Sequence, residues 1–140
     1  SPVAVIGLGI GSLACYGKSG QEFTFYEIDP AVVRIARDPR YFTFLQLCPP
    51  DVQIVTGDAR LSLVSAPDGH YGLIVLDAFN SHAIPSHLIT RQALRLYLRK
   101  LIRTGLLAVH ISNNHLDLEP IVAIWRTTVE SSGSLRRISA

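Results

Sequence analysis

The chain has 140 residues, 48% of them hydrophobic, with a mean hydropathy of +0.28 and a formal net charge of +2. That is enough apolar material for one core and too little length for two, so a single α/β domain over residues 1–140 is expected, and the near-balanced charge gives no reason to expect nucleic acid as a partner. No apolar run approaches the roughly 18 residues needed to span a bilayer, so no membrane contact by this segment is expected. Cys15 and Cys48, the only cysteines, lie far apart and in no C-x-x-C or Cys/His array. They indicate neither a disulfide framework nor a zinc site, and a reducing, cytoplasmic setting follows as the default. With no methionine and a first strand beginning almost at residue 1, the sequence reads as a piece of a longer chain.

Short apolar runs recur along the chain. Strands are predicted over Val3–Gly7, Phe23–Ile28, Val52–Val55, Leu73–Asp77 and Leu106–Ser112. Their alternation with helical and loop patterns predicts a parallel sheet. The first strand runs into "GLGIGS", Gly7–Ser12, and a helix is expected after this turn. Glycines let backbone N–H groups and a helix N-terminus approach a ligand. The dinucleotide fingerprint G-x-G-x-x-G wants its third glycine where Ser12 stands, which disfavours NAD; the spacing here is G-x-G-x-G, on Gly7, Gly9 and Gly11.

The second strand ends "FYEIDP". Glu27 falls where open α/β sheets place the carboxylate that accepts ribose hydroxyls, whereas Asp29, ahead of Pro30, is more simply an N-cap. The helix it opens, with Val32, Val33, Ile35 and Ala36 inward, should end near Asp38-Pro39. After the third strand, Asp58 of "GDAR" either accepts an adenine amino group or caps the next helix. Asp77 ends the fourth strand and faces the same crevice, where a carboxylate could orient or deprotonate a nucleophile. Thr90 is expected to cap a long helix containing Leu94, Leu98, Leu101 and Ile102, with Gly105 releasing the chain into the fifth strand. A last helix is expected after Asp117, holding Ile121, Val122, Ile124, Trp125 and Val129, and Ser134–Ala140 is expected to start a sixth strand.

Other residues carry blander readings. Arg91, Arg95, Arg99 and Arg103, with Lys100 beside them, form a basic stripe best read as a solvated helix face. His82, His87 and His115 have no metal-ligand spacing, so no metal is expected. His110 lies inside a buried strand pattern and reads as a satisfied core histidine. Asn113 and Asn114 read as an irregular turn. Ser12, Ser81 and Ser86 lack a G-x-S-x-G elbow, which leaves a hydrolase reading weak.

Taken in order, "VIGLGIGSLACYG", "FTFYEIDPAVVRIA", "GDARLSL", "LIVLDAFNSHAIPSHLITRQALRLYLRKL" and "GLLAVHISN" resemble the spermidine synthase-like (polyamine aminopropyltransferase) family, above all its bacterial members fused to membrane-transporter segments. The resemblance implies a Rossmann-like class I methyltransferase fold: a mainly parallel twisted sheet with helices on both faces, here truncated at both ends, without the N-terminal β-hairpin portion and the last strands. It makes Gly7, Gly9 and Gly11 the nucleoside loop, Glu27 the ribose acceptor, Asp58 with Ala59 the adenine contact and Asp77 the catalytic carboxylate. It implies S-adenosylmethionine or its decarboxylated form as donor, with a diamine nitrogen displacing the thioether from the activated propyl carbon. The localisation implied is cytoplasmic, as the soluble domain of a membrane-protein fusion.

Three departures bear on the acceptor. The family motif G-G-G-D-G-G has an aspartate where this chain has Ile10, and the motif D-S-T-D has its second aspartate where this chain has Asn80. The fused relatives carry an aspartate where this chain has His82, so Asn80 and His82 are candidate substrate-lining residues. Two lost hydrogen bonds to a charged amine amount to about 3–6 kcal/mol, so putrescine is expected to bind poorly. Methyl transfer, or a nonenzymatic ligand-sensing or assembly domain with a degenerate acceptor site, are the alternatives. A small-molecule amine acceptor is the expected partner, and a homodimer through an unpaired tail strand is an open alternative.

Overall fold

The computed structural model describes residues 1–48, 50–79, 84–111, 121–126 and 136–138. Five strands run parallel: β1 (Val3–Ile6), β2 (Glu22–Glu27), β3 (Asp51–Thr56), β4 (Tyr71–Leu76) and β5 (Leu101–Ile111). Two antiparallel strands, β6 (Ile121–Arg126) and β7 (Arg136–Ile138), follow β5, and the order across the sheet is β3-β2-β1-β4-β5-β6-β7. Sequence order reverses between β1 and β4. In open α/β sheets this switch point opens a crevice at the strands' carboxyl ends.

Both faces of the parallel strands are covered. On one, α1 (Pro30–Arg37) and α2 (Phe44–Leu47) pack Val33, Ala36 and Leu45 against Val3, Val5, Phe23 and Phe25. On the other, α3 (Ala59–Val64) and α4 (Arg91–Lys100) pack Leu63, Ala93 and Tyr97 against Ile6, Ile74, Leu76 and Leu107. Strands buried on two sides read as unbroken apolar runs, which is why β1 and β4 are legible in the sequence.

Local chemistry sets the helix ends. Asp29 caps α1 by accepting from the Ala31 N–H at 2.8 Å, Pro30 occupies the first turn, and Asp38 closes the helix. Thr90 caps α4 by accepting from the Ala93 N–H at 3.1 Å. The helix then stops at Lys100, so Leu101 and Ile102, expected in it, belong to β5. The pairing of β4 with β5 shifts from Tyr71↔Leu101 to Leu73↔Leu106, an irregularity that absorbs residues 102–105.

Three further expectations are corrected. The segment expected as a last helix holds β6, because Ile121–Arg126 pairs antiparallel with Leu106–Ile111 and the ladder outweighs an apolar pattern that fits either period. The glycine turn leads not into an α-helix but into a five-residue 3-10 turn, Ser12–Tyr16, too short to supply an appreciable helix dipole. Cys15 and Cys48, separated by 33 residues, are joined as a disulfide with Cα atoms 4.7 Å apart, because β2, α1 and α2 carry the chain back over that turn. Sequence separation says nothing about such closure.

The basic stripe is also not uniform. Arg91, Arg95 and Arg99 are exposed, but Lys100 is buried, its Nζ donating to the Val64 and Ala66 carbonyls at the end of α3 and to Asp68 Oδ1 at 2.7 Å. Lys100 also holds the Asp68 carboxyl below its usual range, chiefly through that hydrogen bond. It is a helix C-cap reaching in from another helix. Arg103 lies in β5.

Candidate functional site

The strand register builds the site. Val5 pairs with Phe25 on one side and Val75 on the other, and Val75 pairs with Ala108. Side chains alternate along a strand, so two residues further on Glu27, Gly7, Asp77 and His110 form one row across four strands, on the face covered by α1 and α2. The ladder continues to that level: the Gly7 N–H donates to the Tyr26 carbonyl at 2.9 Å and the Asp77 N–H to the Ile6 carbonyl at 2.8 Å. A carboxylate, a gap, and a carboxylate beside an imidazole thus stand side by side at the switch point.

The gap has a steric cause. Gly7 has φ +102°, and a Cβ there would overlap the Asp77 carbonyl oxygen, so only glycine lets the loop leave β1 beside the end of β4. Gly9, at φ +53°, has nothing within 4 Å of its would-be Cβ and leaves open space at the loop's bend. Gly11 precedes the 3-10 turn and lies under Leu45 of α2. Ile10 is exposed.

Glu27 is buried, yet both its oxygens are occupied. Oε2 accepts from the Leu8 N–H and Oε1 from the Asp29 N–H, each at 2.9 Å. The carboxylate therefore ties the glycine loop to the start of α1. Each oxygen keeps a second lone pair, which a ribose hydroxyl needs, so the residue fits a nucleoside without giving up its loop contacts.

Asp58 performs the capping role left open by the sequence. Its Oδ1 accepts from the Arg60 N–H at 2.8 Å and from the Leu61 N–H at 3.3 Å, while Oδ2 lies 3.6 Å from His87 Nε2. Ala59 is buried at the start of α3. His87 belongs to a short 3-10 turn, Ser86–Leu88, whose His87 carbonyl accepts from Arg60 Nη1 at 3.3 Å, which brings the chain after β4 against α3.

Asp77 is partly exposed and accepts a hydrogen bond from His110, Nδ1 to Oδ1 at 2.6 Å. His110 is not a core residue: its side chain is 38% exposed, and Phe79 meets the ring edge-on with centroids 4.8 Å apart. The apolar strand pattern around it reads as interior, and its neighbours Leu107 and Val109 are buried. Alternation within "LAVHI" puts His110 on the other face, but its partnership with Asp77 depends on the shifted β4–β5 register, which no local pattern shows. Asn80 and His82, and likewise Asn113, Asn114 and His115, lie outside the described residues. Among the described residues, no three histidine, cysteine or acidic side chains are grouped to hold a metal ion.

No family model matches the chain. Over 115 residues it is 36% identical to the polyamine aminopropyltransferase of Vibrio vulnificus (strain CMCP6), a match that covers 77% of this chain and 36% of that protein. The chain is similar to a polyamine aminopropyltransferase and has a class I methyltransferase-like fold. Among solved structures it is similar to a spermidine synthase in complex with the transition state analogue AdoDATO, with a TM-score of 0.66 and 18% identity over 84% of this chain and 41% of that one. It is also similar to human methyltransferase-like protein 13 in complex with SAH, with a TM-score of 0.59 and 23% identity over 81% of this chain and 55% of that one. The chain thus spans about a third of the curated relative's length. No helix among its described residues is long and apolar enough to cross a membrane.

Proposed function

We propose that this spermidine synthase-like chain binds an S-adenosyl sulfonium donor at the carboxyl ends of β1–β4 and transfers its aminopropyl group to an amine. The observation that carries the reading is the row Glu27, Gly7, Asp77: a buried carboxylate for the ribose, a glycine gap that admits the ligand, and a second carboxylate on the side from which an amine would approach. Decarboxylated S-adenosylmethionine is the donor that carries an aminopropyl group, and similarity to a polyamine aminopropyltransferase supports that transfer. The methyltransferase neighbours support S-adenosylmethionine itself as the second reading, with methyl transfer.

The acceptor is a small amine. Ile10, exposed at the loop's bend, offers no charge to a second ammonium group, which favours a monoamine or a differently charged acceptor over putrescine. A cytoplasmic setting, also proposed, would keep Cys15 and Cys48 as thiols, against the disulfide that joins them in the structure; thiol titration of freshly isolated protein decides, two reactive thiols supporting that setting and none refuting it. A homodimer would form through β7, the last strand of the sheet, and a monomeric sedimentation profile at high concentration would exclude it.

Calorimetric titration with decarboxylated S-adenosylmethionine, S-adenosylmethionine, methylthioadenosine and NAD, each with and without putrescine, tests the reading. Preferential binding of the decarboxylated donor supports aminopropyl transfer, and binding of S-adenosylmethionine alone moves the reading to methyl transfer or ligand sensing. Binding of none refutes it.

A further inference from the structure

The adjacent side chains Asp77 and His110 are joined by one short hydrogen bond, and nothing in the donor half of the site requires it. An amine in water carries a proton that must leave for its lone pair to attack carbon. A carboxylate attracts the ammonium form, whereas imidazole is the side chain that exchanges protons near neutral pH. With Nδ1 turned to Asp77, the ring presents Nε2, which among the described residues has no partner, and the Phe79 edge contact limits the ring's rotation. A carboxylate on Nδ1–H fixes the tautomer that leaves Nε2 as a proton acceptor.

We infer that His110 is the base that takes the acceptor amine's proton, with Asp77 as the residue that orients it and draws the ammonium group in. The amine lone pair forms the new C–N bond while the C–S bond breaks, its electron pair passing to sulfur and turning the sulfonium into a neutral thioether. One N–H proton goes to His110 Nε2, producing an imidazolium held by the Asp77 carboxylate. This inference rests on the transfer reading above and assigns its proton acceptor to a residue that the sequence pattern consigned to the core.

Two measurements test it separately from that reading. Nitrogen NMR of the imidazole in the unmodified protein is expected to show His110 protonated on Nδ1 at neutral pH, with that preference lost in Asp77→Asn; an Nε2–H tautomer overturns the assignment whether or not any donor is turned over. In single-turnover assays with decarboxylated S-adenosylmethionine and an amine panel, His110→Gln is expected to slow transfer about 10²–10⁴-fold, leave donor affinity within about threefold and abolish the acidic limb of the pH–rate profile. Transfer at the unmodified rate with that limb intact overturns the base role. If the unmodified protein binds no adenosyl donor, the transfer reading fails, the base role fails with it, and the tautomer measurement decides only whether Asp77 orients the ring.

Discussion

The two halves of the crevice use the same residue type in opposite ways. On the β1–β3 side, carboxylates are bound by backbone: both Glu27 oxygens accept main-chain N–H groups and Asp58 Oδ1 caps α3. On the β4–β5 side, Asp77 is held by a side chain, His110, and both are partly exposed. A carboxylate bound by backbone depends on the fold and survives wide changes in neighbouring side chains. One bound by another side chain depends on a single residue's identity. The β1–β3 half is therefore built into the architecture, whereas the β4–β5 half can change chemistry by substitution.

The sharpest way to break this contrast is at the row's one glycine. Gly7→Ala puts a Cβ into the end of β4 at a φ that L residues rarely adopt, and strain plus overlap are expected to cost about 2–6 kcal/mol, read as a fall in the urea midpoint with loss of function in both halves. Glu27→Ala is expected to cost about 2–4 kcal/mol in stability, since the Leu8 and Asp29 N–H groups lose their acceptor, and to weaken adenosyl-ligand binding at least tenfold; unchanged affinity by calorimetry removes the ribose assignment. Asp77→Asn should separate the halves, with stability changed by less than about 1 kcal/mol and donor binding preserved, while kcat/KM falls about 10²-fold or more. Destabilisation as large as that of Glu27→Ala would erase the distinction.

The smallest effect lies in the core beneath α4 and calibrates the others. Burial pushes the Tyr97 hydroxyl up to about 12, above its unfolded value near 10, and that hydroxyl donates to the Leu88 carbonyl at 3.0 Å. The folded state therefore holds the proton more tightly, and the resulting stability is complete below about pH 10 and lost as pH rises toward 12. Tyr97→Phe should cost about 1 kcal/mol at neutral pH and flatten stability across that alkaline window, measured by urea unfolding from pH 9 to 12.

By itself the sequence determined the parallel strands, the glycine turn, the caps at Asp29 and Thr90, and the carboxylates at the ends of β2, β3 and β4. These are local properties: two-sided burial leaves an unbroken apolar run, a capping side chain bonds within three residues, and a strand's end is marked by the polar residue that follows it. Tertiary structure alone decided that residues 121–126 add a strand to β5, that Cys15 meets Cys48, that Lys100 is buried on the end of α3, and that His110 belongs with Asp77. Each of these is a pairing between segments whose register or approach is set elsewhere in the chain. The residues are present in the sequence, but their distances arise only once the sheet has closed its ladders.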